Sequence, residues 1–531
     1  MKPAIQNIIS ATVINGVLFL LLFFFCFPVY HSGDDVFLLY LMGGGFAQEP
    51  TALLHYNHIM HPILGNTLAT LFKAAPFINW YTLLLILVHY VCTSTMLFVI
   101  LQRQPKRIAI ILYLVFFVII EAWFLLQLTF SVTAAIAGMA ATAVLWHNAN
   151  TNKEWVYYIF PAVLLLTGAL FRIHVLIPVV LVASPLLIAP PFFINRLKLV
   201  ITLLVVVLIT AALNYQHQQY YQKNSAGWQQ EENYRQAVFN YYNKPLITKD
   251  PNHFSIQEAF ISYGMYFDQE FLSSKEINEL AAKNRVPKNE YIKNGLQRLY
   301  WPAIESRIFV LALLLATALL LFTNSSAKRW LGFMVPAAAL FLLLFLHFFL
   351  KLPFYLVPVI IGAAICIIFV SLPAIRLAGI KSGIAAVLVL FCISWGVVRL
   401  QKVSKQNKKE NTAFKEAQKR IAAMPQHLFI VTEDSFPMDS FSIWDSPAKY
   451  ALPNLLYKDH FFNNEYQPIL NQFHINTVKQ LWQHQQVLWW GKRTDILKYY
   501  YQQRYGTAIQ FSAPLPNFGR ATVRRIEKQK E

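Results

Sequence analysis

Charged residues are scarce in this chain. Only 13% of its 531 residues are Asp, Glu, Lys or Arg, against about 25% in an average soluble protein, whereas 56% are hydrophobic and 15% aromatic. This composition excludes a protein that is soluble throughout. Apolar runs of roughly 17 to 25 residues recur along the sequence, which is the length that crosses a bilayer. The sequence therefore predicts a polytopic α-helical membrane protein.

Cysteine is also scarce, and its placement excludes two kinds of site. All four cysteines lie inside apolar runs, and none has the CxxC spacing of a zinc or redox site. There is no HExxH motif either. We therefore expect the cysteines to be packing residues, namely Cys26, Cys92, Cys366 and Cys392.

Acidic residues are fewer than basic ones, 26 against 45, so the formal charge is +19. No soluble segment carries a basic stripe with interleaved aromatic residues, and no nucleic-acid partner is expected. Lys and Arg instead accumulate in short loops, as they do on the cytoplasmic side of membrane proteins.

The hydropathy pattern predicts about eleven membrane spans. The first has one basic residue ahead of it, Lys2, lacks a small-residue cleavage site and is longer than a signal-peptide core, so we interpret it as an uncleaved signal anchor. The predicted spans are 8–30, 80–101, 107–125, 130–147, 155–171, 173–190, 198–214, 306–323, 330–350, 353–371 and 383–400.

The basic loops predict the orientation. Placing the N-terminus in the cytoplasm puts all of them on the cytoplasmic side, as the positive-inside rule requires: 103–107, 195–198, 326–329 and 375–381. The C-terminus is then outside. We expect a multi-pass protein of the inner (plasma) membrane, with residues 31–79, 215–305 and 401–531 on its outer face.

Two domains are predicted: a transmembrane domain over 1–400 and an outward-facing α/β module over 401–531. Residues 55–77, in the first outer loop, have the apolar spacing of an interfacial helix. In the tail, a charged helical stretch precedes the apolar strand in HLFIVTEDSF. Strand, helix and strand patterns follow in QVLWWGKRTDILKYYYQQRYG and TAIQFS.

The strongest candidate site is the acidic pair in HSGDDVFL, Asp34 and Asp35, directly after the first span. These residues could simply be solvated carboxylates at a helix end, or one could be a helix N-cap. Adjacent carboxylates raise each other's pKa unless a cation lies nearby. Such a pair could supply a general base together with a group that binds a metal or orients an acceptor. The choice of base stays open, with Asp35 favoured slightly.

Two cations are predicted on the same side as the acidic pair. Arg172, in LLTGALFRIHVLIPVV, lies between two apolar runs, and Lys351, in HFFLKLPFYLVP, lies at another span junction. A snorkelling arginine and an interfacial lysine would explain them equally simply. In the functional interpretation both bind phosphate at the membrane surface.

Several other polar residues are candidates for lining a cavity or binding an acceptor. His55, His58 and His61 are spaced three apart, which favours a water-facing stripe over a metal pair because no glutamate lies in register. Glu121 could line the cavity or cap a helical hairpin. His174 and Tyr355 complete the set, as neighbours of the two cations.

Five motifs of the membrane part can be compared with a known family: HSGDDVFLLY, FINWYT, LQLTFS, TGALFRIHV and KLPFYLVP. In these motifs the chain resembles the GT-C superfamily of glycosyltransferases, in its bacterial form, over roughly residues 1–400. A second large outer loop, 215–305, departs from better-known members.

The resemblance implies a polyprenyl-phosphate-linked sugar as donor and a lipid, glycan or protein as acceptor. It implies that Asp34 or Asp35 is the general base or a metal ligand and that Arg172 and Lys351 neutralise the departing lipid phosphate. The displacement at the anomeric carbon would be direct and inverting. Some members use a divalent cation, here Mg or Mn, which Asp34 and Asp35 would hold.

Two other functions are compatible with a chain of many membrane spans. A polysaccharide polymerase or ligase would use a large outer loop, but residues 215–305 offer His217, Arg235 and His253 without a paired-arginine motif. A lipid or sugar transporter or flippase would show internal repeats and helices broken at the midplane. The sequence shows no repeat, and its costly polar residues lie at one surface.

Overall fold

A computed structural model of the chain shows the fold. Lys351 and two of the spaced histidines, His55 and His58, lie outside the described residues. The structure describes every residue except 1–2, 47–48, 53–59, 152, 189–192, 244–254, 263–267, 299, 322–325, 351, 375–379, 433–435, 458–465, 492–493, 516–522 and 529–531.

Helices account for most of the fold. Those of the first half are α1 (Pro3–Phe25), α2 (Gly33–Met42), α3 (Pro62–Ala74), α4 (Trp80–Leu101), α5 (Lys106–Phe116), α6 (Ala122–Leu126), α7 (Phe130–Asn150), α8 (Val156–Ala183), α9 (Pro185–Ile188) and α10 (Phe193–Asn224). A π-helical turn, Phe117–Glu121, joins α5 to α6.

The second half continues with helices as far as Ala422 and then becomes an α/β module. Its helices are α11 (Trp228–Asn243), α12 (Ile256–Ser262), α13 (Ser274–Lys283), α14 (Tyr291–Arg298), α15 (Tyr300–Leu321), α16 (Ser326–Phe349), α17 (Leu356–Ser371), α18 (Ile380–Ala422), α19 (Gln467–Gln472), α20 (Val478–Gln483) and α21 (Thr494–Tyr505). The strands are β1 (Val29–Tyr30), β2 (Gln127–Leu128), β3 (Leu428–Val431), β4 (Leu455–Tyr457), β5 (Val487–Trp490), β6 (Ile509–Phe511) and β7 (Val523–Lys528).

The described part of the chain has eight helical segments long and apolar enough to cross a membrane, and α15 and α17 supply two shorter apolar helices. The predicted class, a polytopic helical membrane protein, is confirmed. Each predicted span overlaps helical structure. Span 107–125 covers α5, the π-helical turn and α6, and span 173–190 covers the second arm of α8 and α9. The number of crossings stays a prediction. The predicted domain boundary at residue 400 falls inside α18, which continues to Ala422.

Helix α7 lies at the centre of the helical domain. Nearly all its residues are buried, and many are Ala or Gly, which lets neighbouring helices approach closely. A Cβ on Gly138 would lie 2.7 Å from the Leu176 side chain. The small residues of α7 therefore explain how both halves of α8 can pack against it.

Helix α8 is a hairpin of two helical arms. Arg172, in the middle of the run, has extended backbone angles, φ −165° and ψ 97°. Leu176 contacts the positions of both Gly138 and Gly168. Residues 168 and 176 would be about 12 Å apart along a straight helix, so the chain must turn back after Arg172. The two arms correspond to the spans predicted on either side of this residue.

The C-terminal module contains a five-stranded mixed sheet in the order β4-β3-β5-β7-β6. Strand β3 pairs in parallel with β4 and β5, and β7 pairs antiparallel with β5 and β6. The predicted strand after α18 and the strand–helix–strand run correspond to β3, β5, α21 and β6. The sequence pattern does not predict β4, which has three residues, or β7, whose sequence VRRIEK lacks a clear alternation of apolar and polar residues.

The module packs against the ends of the membrane helices near the acidic pair. The Asn79 side-chain amide lies 3.1 Å from the Ile443 carbonyl oxygen and 2.9 Å from that of Asp445. The Tyr30 backbone N–H donates to the Phe441 carbonyl at 3.1 Å. The first outer loop and the tail therefore lie on the same side of the helical domain.

The second large loop reaches the same side. The hydroxyl of Tyr500, in α21, donates to the Asp268 carboxylate at 2.6 Å, and Arg504 pairs with the same carboxylate at 3.2 Å. Phe260 stacks on Tyr500 with ring centroids 5.2 Å apart. All three predicted outer segments thus meet on one face; that this face is the outer one stays a prediction.

Candidate active site

The acidic pair lies in the first turn of α2. Ser32 is the N-cap, and its hydroxyl accepts a hydrogen bond from the Asp34 backbone N–H. Carboxylates are favoured at this end of a helix because the free N–H groups and the helix dipole carry positive charge. The sequence SGDD therefore forms this helix start locally. Tertiary packing then buries Asp35 and leaves Asp34 partly exposed.

Asp35 is completely buried. One carboxylate oxygen accepts hydrogen bonds from the Tyr81 hydroxyl at 2.7 Å and from the Phe130 backbone N–H at 2.8 Å. The other oxygen is buried and has no hydrogen-bond partner among the described residues. Burial raises the pKa of Asp35 to about 8, against the lowering effect of these hydrogen bonds and of the Arg172 charge.

Asp34 is partly exposed, and its charge contributes to the raised pKa of Asp35. The charges of both aspartates and of Arg172 also act on Tyr355. The two carboxylates therefore belong to one electrostatic cluster, in which Asp34 is the more accessible to a substrate.

Arg172 is the tip of the α8 hairpin. Its guanidinium donates to the Ser131 hydroxyl at 2.6 Å and lies over the rings of Phe130 and Tyr355, 5.3 Å and 5.4 Å from the centroids. Its Nε is buried and has no hydrogen-bond partner among the described residues. A guanidinium stacked between two rings, with a free donor, is suited to binding an anion.

The structure thus brings together four of the predicted site residues from three different segments: Asp34, Asp35, Arg172 and Tyr355. These segments are the start of α2, the tip of the α8 hairpin and the turn before α17. This is a cluster of opposite charges at the ends of helices, partly exposed through Asp34 and otherwise enclosed by aromatic rings.

His61 and His174 lie near this cluster without joining it. The His61 backbone N–H donates to the Leu170 carbonyl at 2.9 Å, which ties α3 to the hairpin tip. Its side chain caps α3, accepting from the Ile63 N–H at 3.2 Å, and its other ring nitrogen lies 3.0 Å from the Leu213 carbonyl. His174 follows Arg172 by two residues, on the second arm of α8, and its side chain is exposed.

Glu121 pairs with His89 and not with the acidic cluster. The Glu121 carboxylate lies 2.9 Å from His89 Nδ1, and both side chains are fully buried. His89 Nε2 lies 3.1 Å from the Thr133 hydroxyl, which donates to the Thr129 carbonyl at 2.9 Å. This chain of polar groups braces the first turn of α7 from within the helical domain.

Sequence reasoning missed the residues that hold the acidic and basic groups in place. Tyr81 lies in the motif FINWYT, but a tyrosine at the end of a span is ordinarily an interface anchor. Phe130 acts through its backbone N–H, which no side-chain pattern can reveal. Ser131 lies in the motif LQLTFS, where only its position after a predicted turn indicates that it could lie near the site.

The described residues contain no group of three or more His, Cys, Asp or Glu that could hold a metal ion. A divalent cation bound partly by substrate phosphates needs only one or two carboxylates. Asp34 and the unpartnered oxygen of Asp35 fit that smaller requirement. These two residues are the ones that could hold such an ion.

Comparison with known proteins gives a likeness of fold. No family model matches the chain, and no curated protein matches it. Two solved structures of ArnT from Cupriavidus metallidurans are similar. The apo structure has a TM-score of 0.43 and 13% identity, covering 96% of this chain and 97% of that chain. The structure bound to undecaprenyl phosphate has a TM-score of 0.42 and 11% identity, covering 97% of each.

ArnT is a GT-C glycosyltransferase, of the superfamily that the sequence motifs resemble. With TM-scores of 0.43 and 0.42 and identities of 13% and 11%, this likeness assigns no function to the present chain.

Proposed function

We propose that this protein is a membrane glycosyltransferase that moves a sugar from a polyprenyl-phosphate donor to an acceptor on the outer face of the inner membrane. The observation that carries the proposal is that neighbouring residues of α7 hold both groups: the Phe130 N–H donates to the Asp35 carboxylate, and the Ser131 hydroxyl accepts from the Arg172 guanidinium. A carboxylate beside an aromatic-stacked guanidinium supplies both groups that such a transfer needs, a base and an anion-binding cation.

In this mechanism the acceptor hydroxyl oxygen attacks the anomeric carbon of the donor sugar. The bond between that carbon and the phosphate oxygen breaks, and its electron pair leaves on the phosphate. Asp34 takes the acceptor proton, since it is the partly exposed carboxylate and a base must come within hydrogen-bond reach of the proton. Attack from the face opposite the phosphate inverts the configuration.

Arg172 stabilises the departing polyprenyl phosphate. The hydrogen bond from its guanidinium to Ser131 fixes the orientation of the group, and its Nε has no hydrogen-bond partner among the described residues. A fixed hydrogen-bond donor near the negative charge that develops on the phosphate lowers the activation barrier, because the donor does not have to reorient during the reaction. Lys351 is proposed to assist from the junction before α17, as the resemblance implies.

Asp35 is assigned a positioning role. With its pKa raised to about 8, it is largely protonated at neutral pH and therefore adds little repulsion to Asp34. Its fixed oxygen joins α2 to α4 and α7 through Tyr81 and Phe130. If the enzyme uses Mg or Mn, Asp34 and the second Asp35 oxygen would hold it, and the ion would neutralise the donor phosphate.

The proposal is tested by incubating the purified full-length protein in lipid vesicles with polyprenyl-phosphate-linked pentoses and hexoses and candidate acceptors. We expect release of free polyprenyl phosphate together with a glycosylated acceptor of inverted anomeric configuration. A matched control is Asp495→Asn, since Asp495 is also an aspartate in the first turn of a helix. Movement of the intact lipid-linked sugar across the vesicle without cleavage would instead indicate a flippase.

A further inference from the structure

A groove lies on the half of the helical domain remote from the acidic pair. It has a volume of about 470 Å³ and is formed by α1, α4, α7 and the start of α8, a size within the range of about 300 to 1,000 Å³ typical of ligand pockets. Its walls are mainly apolar, and residues from each wall include Thr12, Val91, Val144 and Phe160.

The position of the groove follows from the direction of the helices. The acidic cluster lies at the end of α1 and the beginnings of α4 and α7. The groove is lined by the first half of α1 and by the later parts of α4 and α7. It therefore faces the opposite leaflet, which is the cytoplasmic one in the predicted orientation.

A buried guanidinium lies close to the end of this groove. Arg103 follows the end of α4, and its charge acts on His147, a residue that lines the groove. One of its NH groups donates to the Val370 carbonyl at 2.8 Å, and its Nε is buried and finds no hydrogen-bond partner among the residues that the structure describes. Burial lowers the pKa of Arg103 to about 10, and no carboxylate in the described part of the chain pairs with it.

A second cation lies at the rim. The Lys153 ammonium is 5.3 Å from the centroid of the Tyr157 ring, and Tyr157 lines the groove. The charges of Arg103 and Lys153 both act on His147, another lining residue. Two cations thus converge on the polar end of an apolar groove within a membrane domain.

We propose that this groove binds an anionic glycerophospholipid of the leaflet remote from the acidic pair, with an acyl chain in the groove and its phosphate paired with Arg103 and Lys153. The lipid supplies the missing anion for a partly buried guanidinium, which would otherwise bear an uncompensated desolvation cost. A zwitterionic lipid offers a phosphate but adds an ammonium that the two cations repel. The site is independent of the proposed transfer reaction.

The experiment is native mass spectrometry of the full-length protein in detergent, titrated with phosphatidylglycerol or with phosphatidylcholine. We expect tighter binding of phosphatidylglycerol. Arg103→Gln and Lys153→Gln should each weaken it about fivefold. Val91→Trp should block it by filling the groove without changing charge. Arg107→Gln, which removes an exposed arginine from the same basic loop, is the matched control and should bind like the unaltered protein.

Each opposite result overturns the proposal. Equal affinity for the two lipids would show that the cations do not select an anion. An equal loss in Arg107→Gln would show a general surface-charge effect, and undiminished binding in Val91→Trp would place the lipid elsewhere. Circular dichroism of each variant separates loss of binding from loss of folding, and the lipid readout does not depend on sugar transfer.

Discussion

The Phe130 backbone N–H donates a 2.8 Å hydrogen bond to the carboxylate of Asp35. The next residue, Ser131, accepts a hydrogen bond from the guanidinium of Arg172. The first turn of α7 therefore holds the acidic and basic sides of the site at once. Because the same turn is braced by His89 and Glu121 through Thr133, the geometry of the site depends on the buried centre of the helical domain.

Replacing Arg172 tests its role in binding phosphate. Arg172→Gln should lower kcat/KM for transfer about 100-fold, since a fixed donor aimed at developing charge contributes roughly this much. Arg172→Lys keeps the charge but loses the planar fork and should recover part of the activity. The measurement is steady-state transfer at several donor concentrations. Arg420→Gln, which replaces a partly exposed arginine paired with Glu416, is the control, and equal kinetics for Arg172→Gln and this control would argue against the role.

The raised pKa of Asp35 predicts a pH-dependent stability. The unfolded chain loses this proton near the ordinary pKa of 3.8, whereas the folded protein keeps it until about pH 8. The stability contributed by the protonated group is therefore complete below the lower value and is lost as the pH rises to the higher one. Asp35→Asn cannot ionise, and it keeps an oxygen to accept the hydrogen bonds of Tyr81 and Phe130.

We accordingly expect the melting temperature of Asp35→Asn, relative to the unaltered protein, to increase between about pH 5 and about pH 9. Thermal unfolding in detergent across this range is the measurement. Asp495→Asn, on the exposed first turn of α21, should show no comparable trend. A difference for Asp35→Asn that stays constant with pH would mean that the carboxyl has an ordinary pKa.

The buried His89–Glu121 pair predicts that two substitutions of Glu121 will lower the stability of the protein by different amounts. Glu121→Ala leaves His89 without its buried partner and should cost about 3–5 kcal/mol. Glu121→Gln retains an oxygen that can accept from His89 and should cost clearly less. Thermal or denaturant unfolding of the full-length protein measures both. If the two variants were equally destabilised, the hydrogen bond to His89 would not be the stabilising contact.

Asn79 is predicted to hold the C-terminal module against the helical domain. Asn79→Ala removes the contacts to the carbonyls of Ile443 and Asp445 and should cost about 1–3 kcal/mol because buried carbonyl groups lose their donors. Hydrogen exchange near residues 441–447 should become faster. Asn471→Ala, which alters an exposed pair within the module, is the control, and unchanged exchange in Asn79→Ala would show that docking rests on other contacts.

Much of this architecture could be predicted because the bilayer imposes long apolar helices with recognisable lengths. The same rule located Arg172 at a break between two spans, where the structure has the hairpin tip. The contacts that unite the site could not be predicted in this way. They depend on a backbone N–H at Phe130, on Tyr81, and on packing that buries Asp35 while leaving Asp34 partly exposed. None of these features produces a periodic pattern of hydrophobic residues in the sequence.

The acidic pair itself shows the same limit. Adjacent aspartates in SGDD look equivalent in the sequence, which only slightly favours Asp35 as the base. Only the tertiary contacts distinguish them, since Asp35 lies beneath Tyr81 and the start of α7. The assignment of Asp34 as base follows from that difference in burial, which cannot be predicted from a single sequence.

The most direct test of the central claim is transfer by Asp34→Asn under conditions where donor binding is measured separately. The account predicts that kcat falls by a factor of about 10² to 10⁴, the contribution of a general base, while the affinity for the polyprenyl-phosphate donor and the folded state remain. Asp495→Asn should transfer normally. Normal turnover by Asp34→Asn would contradict the assignment of this carboxylate as the base.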